Sequence, residues 1–460
     1  MSPGSGTSVP HVPRLTAFRD APAMISHPVR VFERYRAELG PTFTFHFGGA
    51  RGAFVTTEPR VIQHVLKTNS ENYRMSDIRV RRMAEFQGKG LLNSHGEEWL
   101  RQRRFLAQGM RRSRLAALLP YQVALVEPTL DRLDGEGTQG PVEIYPFMVR
   151  LTFRLVGRAL LGDGLTDDQI DQLGSAISTI QAFMVRQIVQ PYRIPWYRVS
   201  GVSWRHQRLR HEGDRIVRDL IEARRREGGG GEGEKEKGDL LELLLGTRYR
   251  DSGERMTAEQ VLIESMQLLV AGNETSPVTL SWTLALLARH PEWAERIRDE
   301  VEEVFGGGPV TLEGLHRLHV TLRVIDEAMR LYPPFWMIDR MALADDEVEG
   351  IRIPAGFTVV PYIYGTHRNP EVWRDPDRFD PDRFLPEAKR ERHPFAHLPF
   401  GGGPRICIGS NLAILQMLLV LSAFVRRYEV ELVGDAIPEI APMMILRPRG
   451  GIPMHVRRRM

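Results

Sequence analysis

The chain has one cysteine, Cys407, set in Pro399-Phe400-Gly401-Gly402-Gly403-Pro404-Arg405-Ile406-Cys407-Ile408-Gly409. No second cysteine exists in the 460 residues to close a disulfide. The thiol is then either a small buried apolar group or a thiolate ligand. The flanks favour a ligand. Gly401 to Gly403 permit positive backbone angles and a close approach to a flat group. Arg405 carries a donor fork suited to a carboxylate. From Asn411 to Leu419 the residues read as an apolar helix, which sets Cys407 at a helix N-terminus, where backbone N–H groups and the dipole favour negative charge.

The spacing Phe-x-x-Gly-x-Arg-x-Cys-x-Gly, filled by Phe400, Gly403, Arg405, Cys407 and Gly409, resembles the haem-ligand signature of the cytochrome P-450 family, soluble bacterial type. The resemblance implies haem b, iron protoporphyrin IX, with Cys407 as its axial iron ligand. Four further stretches extend it. Ala271-Gly272-Asn273-Glu274-Thr275-Ser276-Pro277 lies inside a helical pattern from about Thr257 to His290. Gly272 is costly in a helix interior, Pro277 cannot donate to the Asn273 carbonyl, and Thr275 can back-bond to Ala271. One reading of this stretch is a plain kink in a core helix. The other is a groove for a small ligand beside a hydroxyl and a carboxylate, which can relay protons. It resembles the family's oxygen-binding motif, which implies catalytic roles for Glu274 and Thr275 and contact of Ala271 and Gly272 with the cofactor.

Glu327 and Arg330 stand at i, i+3 on one helix face and resemble the family's Glu-x-x-Arg. Arg383, in Phe379-Asp380-Pro381-Asp382-Arg383-Phe384, resembles its third partner, with Asp382 where glutamate is usual. The resemblance gives this triad a structural role, locking the run that leads into the cysteine loop. Trp99 and Arg103 at i, i+4, with Arg340 and Arg405, resemble the groups that pair haem propionates. Buried carboxylates require such partners.

Helical periodicity dominates from Gly96 to Arg226 and resumes at Asp239. Met1 to Ser26 reads as an extended arm, Pro41 to Thr57 as a β-hairpin across Gly48-Gly49, Glu58 to Asn69 as a helix, and Met75 to Gly90 as a loop. Residues 227 to 238 form a Gly/Glu/Lys stretch that cannot pack a core, read as a flexible loop inside a single domain spanning 27 to 460. The fold class is mainly α with small β-sheets, and the resemblance implies a triangular helical prism around one buried haem.

Net charge is +4, carried by arginine, since lysine occurs only at 67, 89, 235, 237 and 389. No compact basic-aromatic motif appears, so nucleic acid is not expected as a partner. No apolar stretch reaches the ~18 residues that span a bilayer, the start lacks a signal-peptide core, and lone-cysteine usage fits a reducing, cytoplasmic setting. No transmembrane anchor is expected, and the chain is expected to be a monomer.

The resemblance implies a monooxygenase that inserts one oxygen atom of O2 into a hydrophobic small molecule. Its electrons would come from NAD(P)H through a separate reductase and an acidic ferredoxin or flavodoxin, steered by Arg101, Arg104, Arg111, Arg112 and Arg114. A thiolate-haem isomerase or peroxygenase would not need the Glu274-Thr275 pair. A gas sensor or carrier would need neither that pair nor a reductase. The pocket wall implied by the resemblance contains Met83, Phe86 and Leu268, then Phe335, Trp336, Met337 and Ile338, then Met443, Met444 and Ile445. Arg79, Arg81, Arg82, Arg186 and Arg193 would anchor an acidic end. A fatty acid fits such a wall first, and a terpenoid or steroid second.

Overall fold

Alternation along Thr42–Phe47 and the apolar run Ala53 to Val55 within Arg51–Thr56 build the main sheet of this computed structural model, which describes residues 9–47, 51–137, 140–227, 239–249, 253–434 and 436–459. The two strands pair antiparallel, from Thr42 opposite Thr56 to Phe47 opposite Arg51, as the hairpin pattern predicts. The turn at Gly48-Gly49 lies outside the described residues. Thr358–Pro361 adds in parallel to the second strand, followed by Arg340–Ala342 and Tyr73–Arg74. Successive side chains face opposite sides of a sheet. Phe43, Phe45, Ala53, Val55 and Val360 accordingly pack with Phe32, Tyr35 and Trp336 on one side. Phe54 and Val359 pack with Val61, Ile62, Phe395 and Leu398 on the other.

This sheet belongs to the first of two compact units, which comprises Met1–Val80, Asp326–Cys407 and Ile440–Arg447. The second comprises Arg81–Ile325, Ile408–Glu439 and Pro448–Met460. Its spine is the helix Ala258–Arg289, buried on nearly every side, as expected of a helix apolar all round. Thr257 caps it by accepting from the Gln260 backbone N–H at 3.2 Å. Ile144–Leu161, Asp167–Val189 and Val202–Arg226 pack along it. A three-stranded antiparallel sheet places Pro453–Arg458 between Val142–Glu143 and Tyr428–Leu432.

Four expectations change. The N-terminal arm is not wholly extended: Arg14–Arg19 and Ala21–Ser26 are short helices, and the Asp20 carboxylate between them accepts from the Tyr35 hydroxyl at 2.8 Å and pairs with Arg34. The expected loop at 75 to 90 contains the helix Asp77–Gln87. Asp77 in its first turn suits the helix dipole, and Gly88 ends it at φ 70°. The helix expected over 58 to 69 is α-helical only from Pro59 to Gln63 and then widens into a π-turn, His64–Thr68. Ser410–Arg427 is long and apolar enough to cross a membrane, but 61% of it is buried in the fold, where it packs against Arg112–Leu130 and Pro291–Phe305. Of the expected flexible loop at 227 to 238, all but Glu227 lies outside the described residues.

Candidate functional site

In the cysteine loop, Gly403 leaves no room for a side chain. Gly403 has φ 67°, and a Cβ there would lie 1.7 Å from the Leu66 carbonyl oxygen. The loop therefore rests backbone on backbone against the π-turn. Gly401 also adopts positive φ, at 72°. The Cys407 N–H donates to the Phe400 carbonyl at 2.9 Å, and the Ile406 N–H to Gly403 at 3.1 Å. These bonds close the turn and leave Cys407 exposed, which suits a ligand better than a core thiol. The following helix starts at Ser410, not at Cys407 itself.

Behind the loop, the structure brings Glu327, Arg330 and Arg383 together. Both Glu327 and Arg330 side chains are fully buried, and the guanidinium meets the carboxylate with two bonds of 2.6 and 2.8 Å, the bidentate geometry that makes such pairs strong. Arg330 also donates to the carbonyls of His367, Pro376 and Arg378. Arg383 stands 3.5 Å from Glu327 and holds the carbonyls of Arg374 and Asp375. Burial holds the Glu327 carboxyl above its ordinary range, and Arg330 offsets only part of that rise. Two members of this cluster carry no signal in the sequence. His367 is buried with its pKa lowered to about 3, burial being the largest cause, so it is neutral. Its Nε2 accepts from the Leu398 N–H at 2.8 Å and its Nδ1 faces the Arg330 carbonyl at 3.2 Å. Arg392 stacks 3.8 Å over Trp373 and donates to the Arg383 carbonyl. Together these groups fix the irregular run into the cysteine loop.

Arg340 is the clearest fit to an anionic cofactor edge. It is buried, its pKa is lowered to about 10 chiefly by desolvation, and its Nη1 donates to the Asp339 backbone carbonyl at 2.8 Å. No carboxylate forms an ion pair with it among the described residues. The neighbouring Asp339 is committed elsewhere, to Arg79 at 2.5 Å and to the Ser76 N–H at 2.9 Å, and its pKa falls to about 2 against the opposing effect of burial. Asp339 still attracts Arg340 electrostatically, but a buried guanidinium with no direct ion pair is costly unless an anion joins it. Arg103 lies 5.9 Å from the Trp99 ring on the helix Gly96–Leu106, and Arg405 is half-buried on the cysteine loop.

In the second unit, Thr275 Oγ1 donates to the Ala271 carbonyl at 3.1 Å, the back-bond its position predicts. Glu274 is buried and Ala271 exposed. The helix runs unbroken through Pro277. Gly272 has a packing reason: a Cβ there would meet Val156 Cγ1 at 2.8 Å, so glycine lets Ile144–Leu161 approach. Five and eight residues before Gly272, Gln267 and Glu264 of the same helix hold the turn at Gly88 to Ser94. Gln267 Oε1 accepts from the Leu92 N–H at 2.8 Å, and its Nε2 donates to Asn93 Oδ1 and the Gly88 carbonyl. Glu264 accepts from the Leu91 N–H at 3.1 Å and from Gln260 at 2.7 Å. That turn leads into the helix of Trp99 and Arg103. Nothing in the spacing of Glu264 and Gln267 marks them, since their partners lie far away in sequence.

The expected wall is corrected at Trp336. Its ring is buried in the aromatic core, 5.7 Å from Phe32 and 6.2 Å from Tyr362, and its Nε1 donates to the Met443 carbonyl at 2.8 Å. Met337 packs on the same core and Ile338 on the opposite one. Phe335 and Met444 are half-buried, while Met443 is exposed. Met83, Phe86, Leu268 and Ile445 are buried, with Phe86 edge-on to Phe183 at 5.7 Å. Two of the five cations expected to anchor an acidic end are already ion-paired. Arg79 is paired with Asp339 and Arg82 with Glu85, and Arg81, Arg186 and Arg193 are exposed.

The profile of the family described as Cytochrome P450 matches residues 6–455. The cyclooctat-9-en-7-ol 5-monooxygenase of Streptomyces melanosporofaciens is 30% identical over 380 residues, covering 83% of this chain and 80% of that one. The pentalenene oxygenase of Streptomyces avermitilis is 30% identical over 406 residues, 87% of each. The haem domain of cytochrome P450DA superimposes with a TM-score of 0.85 at 23% identity, covering 98% of this chain and 97% of that one, which supports the mainly helical fold. By profile, by relatives and by fold, the chain belongs to the cytochrome P450 family, whose haem-dependent monooxygenases are oxidoreductases that incorporate oxygen.

Proposed function

We propose that this chain hydroxylates a polycyclic, terpenoid-like hydrocarbon or alcohol, using electrons from a separate carrier protein. The observation that carries the substrate class is the pair of Streptomyces relatives, named for cyclooctat-9-en-7-ol and pentalenene. Arg79 and Arg82, two of the five arginines expected to hold a fatty-acid headgroup, are already engaged by Asp339 and Glu85. Met83, Phe86 and Leu268 supply apolar surface, and burying each substrate CH2 gains about 0.8 kcal/mol.

When bound, the haem supplies the oxygen-activating chemistry through its thiolate-ligated iron. Cys407 would be that ligand, with Phe400, Gly403 and Gly409 shaping its loop. Trp99, Arg103, Arg340 and Arg405 would pair the propionates. The chain's own part at the distal side is proton handling. With its hydrogen on the Ala271 carbonyl, Thr275 Oγ1 keeps lone pairs that accept from a water or a substrate oxygen, and Glu274 stands next to it as the proton source. Thr275→Ala is expected to leave substrate affinity nearly unchanged while reduced cofactor is consumed with more peroxide and less product. An unchanged ratio of product to cofactor consumed would remove the proton role.

An acidic ferredoxin or flavodoxin is the proposed electron donor. Arg104, Arg111 and Arg112 are exposed, whereas Arg101 stacks 3.7 Å over Tyr249. Reduction rates should fall as salt rises. The substrate reading is tested by titrating ferric protein with polycyclic terpenoid alcohols, fatty acids and their methyl esters while following the spin shift. Tight shifts with the polycycles support it, and a response to free fatty acids alone overturns it.

A further inference from the structure

The π-turn His64–Thr68, on which the cysteine loop rests, is clamped by a residue far off in sequence. Asp346 Oδ2 accepts from three side chains: His64 Nε2 at 2.8 Å, Asn69 Nδ2 at 3.1 Å and the Tyr73 hydroxyl at 2.6 Å. Its Oδ1 accepts from the Glu347 N–H at 2.9 Å. An oxygen that gathers three donors suits a carboxylate, whose charge strengthens each bond. Burial opposes that charge, yet Tyr73 first, then His64 and Asn69, hold the carboxyl below its ordinary range. The Asp346 side chain is 11% exposed and that of His64 20%, so little water competes for these bonds.

Two of the three donors are the residues that the wide turn itself joins. The Asn69 N–H donates to the His64 carbonyl at 2.9 Å, five residues back where an α-helix reaches four. Asp346 therefore grips both ends of that one bond. Such turns are rare and recur at functional sites, and this one follows an ordinary α-helical stretch, Pro59–Gln63. The middle of the turn carries the Leu66 carbonyl, against which Gly403 lies with no room for a Cβ. The Gly403 carbonyl in turn accepts from the Ile406 N–H at 3.1 Å, beside Cys407. From Asp346 to the thiol the path is one clamped turn, one backbone contact and one closed loop.

We propose that Asp346 is a positioning residue for the iron ligand: by holding His64 and Asn69 together it fixes the width of the turn beneath Gly403, and with it the seat of the Cys407 loop. This role rests on Cys407 being the haem ligand. Merely tying the chain at 344 to 346 to the segment at 64 to 73 is a task that Asn72 already performs. Its amide donates to the Ala344 carbonyl at 3.1 Å and accepts from the Ala344 N–H at 2.8 Å.

The test compares full-length haem-loaded wild type with Asp346→Asn, Asp346→Ala, the double change His64→Leu with Asn69→Ala, and Asn72→Ala. Wild type should show the red-shifted ferrous carbon monoxide band, and its absence there would remove the ligand assignment and this role together. In Asp346→Ala, and in the double variant, which leaves Tyr73 on Asp346, that band should decay about tenfold faster on incubation, the scale on which losing a group that orients a metal ligand acts. The ferric–ferrous potential should rise, because a less firmly held thiolate donates less to the iron, and the Asn69 amide should exchange its hydrogen faster. Asp346→Asn, which keeps one oxygen acceptor, should fall between wild type and Asp346→Ala. Asn72→Ala should loosen the same junction yet keep the band lifetime and potential of wild type. If Asp346→Ala yields no folded protein, the double variant decides. Wild-type lifetime and potential in the double variant overturn the role while the ligand assignment stands. So do equal losses in Asn72→Ala, which would show general loosening, and an unchanged exchange rate at Asn69 in the double variant.

Discussion

Arg330→Ala is expected to be among the most damaging single changes in the first unit. The side chain is fully buried, as is its partner Glu327. It donates five hydrogen bonds: two to Glu327 and one each to the carbonyls of His367, Pro376 and Arg378. Removing it strands a carboxylate in the interior, a loss of ~3–5 kcal/mol when one partner of a buried pair is deleted. The three carbonyls lose a donor as well, but Arg383 at 3.5 Å and the Asp380 N–H at 2.8 Å remain on Glu327, so the total should stay within that range. With ~2.1 cal/mol/K of unfolding entropy per residue, a chain of this length loses about 3–5 °C in Tm. A matched control is Arg390→Ala. Arg390 pairs with Glu387 at 3.5 Å, but both side chains are about three-quarters exposed, so under ~0.5 kcal/mol is expected. Calorimetry of the two variants, with haem content per chain, decides the matter. Equal melting temperatures and full haem loading in both would refute the reasoning that this pair fixes the cysteine loop.

The pH dependence of stability should carry the mark of Glu264, whose pKa is raised to about 7 from the ordinary 4.5, burial first and nearby Glu98 adding to it, against the pull of Leu91 N–H and Gln260. Between these values the folded state holds a proton that the unfolded state has lost. Stability therefore falls as pH rises from about 4.5 to about 7 and levels off above, by on the order of 3 kcal/mol. Glu264→Gln should flatten that slope in denaturant titrations at pH 5 and 8, and an unaltered slope would contradict the assignment. Gly403→Ala should give little haem-loaded protein, because its Cβ would strike the Leu66 backbone at a positive φ. Gly409→Ala, with open space around it and a φ of −88°, should fold and retain haem. Equal yields would show that the contact does not shape the loop.

What was legible in the sequence was local. Phe400 to Gly409, Glu327 with Arg330, and Thr275 with Ala271 each depend on spacing along one loop or one helix face. What was not legible was set by partners distant in sequence. His367 joins Arg330 to Leu398, and Gln267 joins the long helix to Leu92 and Asn93. Neither residue stands in a distinctive local pattern. The helix Asp77–Gln87 was hidden by its arginines, since only Met83, Phe86 and Gln87 are buried on it. Trp336 was misplaced because an aromatic beside prolines suits a pocket wall and a core equally well. Its burial follows from Phe32 and Tyr362, which no local reading connects to it. Gly272 looked like a groove for ligand, and Val156 supplies a packing reason.

The central claim is that the Cys407 thiolate holds the haem iron. The most direct measurement is the absorption spectrum of the reduced, carbon monoxide-saturated protein, taken for wild type and Cys407→Ser at matched haem content. Wild type should show the strongly red-shifted band of a thiolate-ligated haem, and the serine variant, which retains some haem through its remaining contacts, should lack it. A thiolate-type band of undiminished strength in Cys407→Ser would contradict the account.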